Sequence, residues 1–335
     1  MLLFPTASRL LAPKPRALVM TILNRHILTA SRRNGQPMLS SKRILVATDF
    51  SPISIVALRH ALGIARRYHS NVSLLHVIDP SIYGLAGPDG ISAETEYVLR
   101  DAERIDAGLR ADGSLEGLNF DLEVSVGPVW RTIAETIEEK HSALLVLGTH
   151  GRTGLRKLVL GSVAECAFRE ASCPVMTVGP KVVQSKSCGR EAKHFLVPTD
   201  LSSESMSALP YGTSLAKATQ GDVTFLYVRH SRSGSNDQDG ESVDAANARI
   251  RELLQAHPDA RPIVPLIVKA SAPAEVVVAF AKEHQMDLIV MGRRAWAEDS
   301  PPMWRTAYAI VTQAACPVLS MKSAAALDPA KAQTC

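Results

Sequence analysis

The chain has 335 residues, 46% of them hydrophobic, which is enough to bury a core in each of about two domains. Aromatic residues make up only 5%, which argues against a basic surface interleaved with stacking rings, and the formal charge of +4 is concentrated in a leader. Ahead of Lys42 stand six Lys/Arg and no Asp or Glu; without them 31 basic residues face 33 acidic ones, and the near-neutral body gives no electrostatic footprint for nucleic acid.

Residues 1–41 read as an unstructured leader or as sequence upstream of a start at Met38. The apolar run "ALVMTIL" (17–23) is short for a signal-peptide core, and Asn24, Arg25 and His26 follow it in place of a small-residue cleavage site. The acid-poor, Arg- and Ser-bearing composition keeps an organelle transit peptide as an alternative. No segment reaches about 18 consecutive apolar residues, so no membrane span is expected. Five cysteines (166, 173, 188, 316 and 335) form no C-x-x-C pair, which favours a reducing cytoplasm without disulfides or a zinc site.

From Lys42 onward, short apolar runs alternate with helical patterns. "RILVAT" (43–48) is a buried-type strand, and Ser51 followed by Pro52 predicts an N-cap and first helical residue for a helix through about Tyr68. "NVSLLHVI" (71–78) is the next strand. A loop bearing Gly84, Gly87 and Gly90 leads to a charged helix near 91–112, and "FDLEVSV" (120–126) alternates as a half-exposed strand. A helix at 129–141 places Ile133 and Ile137 on one face. "ALLVLG" (143–148), a helix over about 162–171 and "PVMTV" (174–178) complete a β-α-β-α-β-α-β-α-β series.

The series then repeats. "RILVATDFS" (43–51) recurs as "HFLVPTDLS" (194–202), "ALLVLG" as "DLIVMG" (287–292), and "CPVMTV" (173–178) as "CPVLSM" (316–321). The expected fold is α/β, with two tandem doubly wound, Rossmann-like domains, each a five-stranded parallel sheet of order 3-2-1-4-5. They cover residues 42–179 and 193–322, with a polar linker at 180–192 and a tail at 323–335. Strands of the second copy are expected near 194–199, 222–228, 263–269, 287–291 and 317–321.

In such a sheet a ligand sits beyond the carboxyl ends of the strands, at the switch between strands one and four. Strand one ends at Thr48-Asp49, and strand four ends at Gly148, which opens "GTHGRTGLRKLVLGS" (148–162). Gly148 and Gly151 would let backbone N–H groups approach an anion, and Gly161-Ser162 begins a helix whose free N–H groups suit a phosphate. Arg152, Arg156 and Lys157 supply counter-charge, and Asp49 can accept from ribose hydroxyls or an adenine amino group. Each piece has an ordinary structural alternative: Asp49 and Ser162 as caps, the cations as a solvated face. The stretch fits neither a P-loop nor a dinucleotide fingerprint.

The spacing G-x2-G-x9-G-S (Gly148, Gly151, Gly161, Ser162), with "VATDFS" opening and "CPVMTV" closing the domain, resembles the universal stress protein family, in its ATP-binding branch. The resemblance implies that Thr48, Asp49 and Val77 surround adenine and ribose. It implies that Gly148, His150, Gly151, Arg152, Gly161, Ser162 and Val163 hold ribose and phosphates, with Mg2+ or Mn2+ on the phosphates. It further implies pairing through strand five, here as an intramolecular pseudo-dimer or additionally as a homodimer of chains. Val77 has an equal claim as a core strand residue, and His150 reads as a loop residue rather than a base.

The second copy departs from this pattern. Counted back from the shared Cys-Pro-Val, Trp304 and Arg305 stand in the places of Gly161 and Ser162, and Ala295 in that of Gly151. An indole there would fill a phosphate's space and Glu298-Asp299 would repel it, so the second half is expected to bind no ATP. Arg293 and Arg294 leave room for a different anion. The functional expectation is a cytoplasmic, ATP-binding stress-response or signalling module acting on an unidentified protein partner, without nucleic acid or membrane. Slow ATP hydrolysis and a ligand-free interaction scaffold are the alternatives. No nucleophile–base pair is evident, and no catalytic residue or protein metal ligand is assigned.

Overall fold

Strands buried on both faces must be apolar at every position, and the first strand after the leader shows this directly. Ile44 and Val46 turn to one face and Leu45 and Ala47 to the other, all four buried. The computed structural model describes residues 20–22, 42–83, 87–150, 160–183, 192–230, 263–293 and 304–322, with positions 245, 248, 250 and 252 besides.

A three-residue strand from the leader, β1 (Met20–Ile22), pairs antiparallel on β4. The first half then runs β2 (Arg43–Ala47), α1 (Pro52–Tyr68), β3 (Asn71–Ile78), α2 (Pro80–Tyr83), α3 (Gly87–Ala111), β4 (Phe120–Val126), α4 (Val129–Glu139), β5 (Ser142–Gly148), α5 (Ser162–Glu170) and β6 (Val175–Val178). After α6 (Pro180–Val183) the second half runs β7 (His194–Thr199), α7 (Ser203–Met206), α8 (Leu209–Thr219), β8 (Asp222–His230), β9 (Ile263–Ala270), α9 (Pro273–Glu283), β10 (Leu288–Arg293), α10 (Trp304–Gln313) and β11 (Val318–Lys322).

All strands among the described residues lie in one sheet, ordered β1-β4-β3-β2-β5-β6-β11-β10-β7-β8-β9. β1 aside, the first half follows the expected order 3-2-1-4-5 in parallel, and the second half repeats it in mirror sequence along the sheet. The halves meet where β6 pairs antiparallel with β11, Met176 opposite Leu319. Two buried hydroxyls bridge this joint reciprocally: Thr177 Oγ1 donates to the Val318 carbonyl and Ser320 Oγ to the Val175 carbonyl, each at 3.3 Å. The pairing removes what would be an exposed edge on each half.

One apolar core lies on each face of the sheet, and each runs through both halves. Ala57, Leu58 and Ala61 of α1, Val98 and Ala102 of α3, and Leu209 and Ala216 of α8 cover one face. Ile133 and Ile137 of α4, Ala164 and Ala167 of α5, Val277 of α9 and Val311 of α10 cover the other.

The one-turn helices α2 and α6 form where a loop and the linker are expected, and two further helical segments depart from the sequence expectation. α3 begins at Gly87, before the expected position, because Pro88 fits a first turn, where its missing N–H costs nothing. The helix after β7 is split into α7 and α8, since Pro210 cannot donate to the carbonyl four residues back.

Over the joint, between α1 and α8, lies a cavity of about 740 Å3 lined by His60, Ile64, Met176, Phe195, Leu215 and Leu319. Its rim includes Lys42 and Asp287, which precede β2 and β10, so it opens toward the amino ends of the strands, away from the expected crevice. His60 Nε2 is buried with no hydrogen-bond partner among the described residues, and burial pushes its pKa down to about 4. The unfolded chain therefore takes up this proton first. Stability should fall as pH drops from about 6.5 to about 4, by up to about 1.4 kcal/mol per unit, and the loss should level off below that. Urea unfolding across this window should lose that slope in His60→Gln.

Candidate functional site

The carboxyl tip of β2 is built by local hydrogen bonds that the repeat preserves. Phe50 sits in the left-handed region at φ 61, and its N–H donates to Thr48 Oγ1 at 3.0 Å. The Ser51 N–H donates to Asp49 Oδ1 at 3.0 Å, and Ser51 caps α1 by accepting from the Ser54 N–H. In the second half Leu201 has φ 62, its N–H donates to Thr199 Oγ1, and Asp200 accepts from the Ser202 N–H. Thr48 is buried, with its hydroxyl 3.0 Å from Ser54 Oγ. The His76 ring, stacked on Phe50 with centroids 4.8 Å apart, places Nδ1 2.8 Å from the Thr48 carbonyl. Thr48 and His76 thus shape the tip, while Asp49 stands half-buried on it.

The tip of β5 lies beside that of β2, since the strands are paired in parallel with Ala47 opposite Leu147. Gly148 has a packing role there: a Cβ on it would come 2.9 Å from Ile53 Cγ2 and 3.4 Å from the Ser54 nitrogen, in the first turn of α1. The glycine lets α1 close onto the strand. Thr149 is fully buried, its hydroxyl 2.9 Å from Nδ1 of the half-buried His150. Gly151, Arg152, Arg156 and Lys157 lie outside the described residues.

The chain re-enters at Leu160 and is held against the same strand tip, the Gly161 N–H donating to the Thr149 carbonyl at 2.8 Å. Gly161 is the N-cap of α5 and offers no side-chain acceptor to the helix. The first hydrogen bond of the helix runs from the Glu165 N–H to the Gly161 carbonyl, so the N–H groups of Ser162, Val163 and Ala164 precede the ladder. Ser162 is exposed, and Val163 packs partly on the core. Val77, only 9% exposed, belongs to the same core as Ala47 and Leu147.

The other end of α5 is held by cations from the second half. Arg293, 3% exposed, donates to the Phe168 carbonyl and, at 2.8 Å, to the Ala171 carbonyl. Lys322 Nζ donates to the Glu170 carbonyl at 3.0 Å. Burial lowers the Arg293 pKa to about 10, so it remains a cation at neutral pH. Two positive charges at a helix C-terminus complement its dipole, each by about 0.3–1 kcal/mol when exposed and up to about 2 kcal/mol when partly buried. The room for a second anion that the sequence suggests at Arg293 is therefore taken: its charge is spent on main-chain carbonyls. Arg294 lies outside the described residues.

The structure thus brings Thr48, Asp49, Gly148, His150, Gly161, Ser162 and Val163 to the carboxyl tips of two neighbouring strands, with Val77 on the strand beyond. An acceptor at one tip and an uncapped helix N-terminus at the other can hold a polar ligand with an anionic end. The described residues contain no group of three or more metal-binding side chains, and no helix among them is long and apolar enough to cross a membrane. Three side chains reach α5 or its entry from the second half, Arg293, Lys322 and Tyr308; sequence reasoning gave Arg293 a different task and missed the other two. Tyr308 accepts from the Leu160 N–H at 2.7 Å. In the sequence Arg293 is a charged residue at the end of a buried strand, where the first copy has Thr149.

In the second half the start of α10 replaces the Gly161-Ser162 step, and Trp304 is its first residue. Gly292, which matches Gly148, again faces the helix after strand one. A Cβ there would come 1.8 Å from the Glu204 carbonyl oxygen, and Glu204 occupies the place of Ile53.

Comparison with known proteins matches this arrangement twice. The model of the universal stress protein family fits residues 40–179 and again 191–322. Two universal stress proteins of Methanocaldococcus jannaschii are similar in sequence. One is 30% identical over 164 residues, covering 49% of this chain and 95% of its own. The other is 29% identical over 155 residues, covering 42% and 96%. Among solved structures, a universal stress protein from Archaeoglobus fulgidus superposes with a TM-score of 0.63 at 20% identity, over 85% of this chain and 97% of its own, which supports the fold.

Proposed function

This chain belongs to the universal stress protein family, with two tandem domains of that kind, and on that premise we propose that its first domain binds ATP and acts as a nucleotide-dependent stress-response or signalling module. The observation that carries the reading is the uncapped start of α5 at Gly161-Ser162, held against the β5 tip and beside Asp49. Phosphate oxygens would accept from the N–H groups of the first turn and the Ser162 hydroxyl, and Asp49 would accept from the ribose or adenine. Gly161 fits the role, since a Cβ there would press to 3.2 Å from the Thr149 carbonyl oxygen. A divalent cation would neutralise phosphate charge, and Gly151 and Arg152 belong to the proposed cradle by their place in the motif. The second domain, without the Gly-Ser step, is proposed to bind no ATP.

The test is nucleotide analysis of protein as purified, followed by ATP titration of two matched variants. Asp49→Ala and Asp200→Ala each delete the same turn-forming carboxylate at the same place in the repeat. Asp49→Ala is expected to lose at least tenfold in ATP affinity, and Asp200→Ala to stay within twofold of the parent. Equal losses would sink the one-site reading, and no bound nucleotide with no measurable affinity would sink the ATP reading altogether. Turnover well above about 1 s⁻¹, an ordinary enzyme rate, would replace the signalling role with an enzymatic one.

A further inference from the structure

We propose that the second domain serves as a clamp on α5 of the first, with Tyr308, Arg293 and Lys322 as positioning residues for the phosphate end of the nucleotide site. This rests on reading the first domain as an ATP site. Both ends of one nine-residue helix are held by side chains from the other half of the chain. Ahead of its start, the Tyr308 hydroxyl accepts from the Leu160 N–H at 2.7 Å, one residue before the Gly161 cap. At its finish, Arg293 and Lys322 take the carbonyls of Phe168, Glu170 and Ala171. Arg293 also lies over the Phe168 ring, 5.7 Å from its centroid.

The arrangement is one-sided. By the repeat, Thr149 and Gly179 stand where Arg293 and Lys322 stand in the second half. At that mirror position a Cβ on Gly179 would come 3.6 Å from the Val311 carbonyl and 3.8 Å from the Ala314 carbonyl, at the C-terminal end of α10. The end of α10 thus meets a glycine where the end of α5 meets a lysine, and the matching residue beside it is a threonine where α5 has an arginine. The half without the Gly-Ser cradle supplies the cations, and the half with the cradle receives them. A cationic C-terminus and a fixed entry at Leu160 hold the helix so that its free N–H groups point at a set place, which spares an incoming anion the cost of ordering them.

Tyr308→Phe keeps the ring and removes only the hydroxyl that holds Leu160. Three readouts on the full-length chain test it: affinity for ATP, affinity for adenosine, and amide hydrogen exchange across residues 160–164. The clamp predicts a five- to tenfold loss of ATP affinity, unchanged adenosine affinity, and faster exchange at Leu160 with an unaltered melting temperature. Equal loss for ATP and adenosine would reduce Tyr308 to a general packing residue and overturn the proposal, as would unchanged ATP affinity. If the parent chain binds no ATP, the functional reading fails separately, and exchange alone then decides the clamp: faster at Leu160 supports it, unchanged refutes it.

Discussion

Gly161→Asp is expected to abolish the ATP binding proposed for the first domain, a loss of at least about 100-fold or roughly 2.7 kcal/mol, without unfolding the chain. Gly161 caps α5 with φ −63 and ψ 151, a conformation open to any residue. Aspartate is among the best N-cap residues, because its carboxylate accepts from the N–H groups of the second or third helical residue. Those are the groups assigned here to phosphate, and they cannot serve both. The new carboxylate would also put a negative charge where the ligand carries its own. The new Cβ would need the Thr149 carbonyl, 3.2 Å away, to yield by a few tenths of an ångström. Cap gain and crowding oppose each other, so thermal stability should stay close to that of the parent. Calorimetric titration beside a melting curve checks both halves of the statement. ATP affinity within threefold of the parent would place the phosphates elsewhere.

The second large effect concerns stability. Gly292→Ala is expected to cost more than about 3 kcal/mol, beyond the usual range for an overpacked site. Its Cβ would overlap the Glu204 carbonyl oxygen at 1.8 Å and crowd the Glu204 carbonyl carbon at 2.7 Å, both main-chain atoms of α7 that cannot rotate aside. Gly148→Ala meets Ile53 Cγ2 at 2.9 Å, a side-chain methyl that can turn away, and should cost about 1 kcal/mol. Urea unfolding of both variants measures the contrast. Equal losses would mean that α7 moves off β10 as readily as a side chain turns.

These two glycines also add a packing role to the first position of the motif. The first glycine of G-x2-G-x9-G-S looks, in sequence, like part of an anion cradle. Its counterpart Gly292 survives in the half where the Gly-Ser step is gone, and in both halves a helix packs against it. Gly161, with a backbone carbonyl against it and an uncapped helix after it, remains the glycine on which the proposed anion site rests.

Most of the fold was legible because its signals are local. β3 occupies residues 71–78 as its apolar run predicts, and Ser51-Pro52 opens α1 as a cap and first turn should. The repeated blocks identified two domains of one kind, and their alternation of strands and helices pointed to a parallel sheet wrapped on both faces, for which 3-2-1-4-5 is one of the common doubly wound orders. Local signals were weaker where punctuation had two meanings: Gly87-Pro88 starts α3 where a loop was expected, and Pro210 breaks a helix that the first copy keeps whole. Only the tertiary structure decided what Arg293, Tyr308 and Gly292 do. Arg293 reaches carbonyls more than 120 residues away, and Tyr308 meets an amide 148 residues away. Such partners follow from two halves meeting back to back through β6 and β11. A side chain's nearest neighbours in sequence carry no record of which distant carbonyl will be left without a donor when the helices pack.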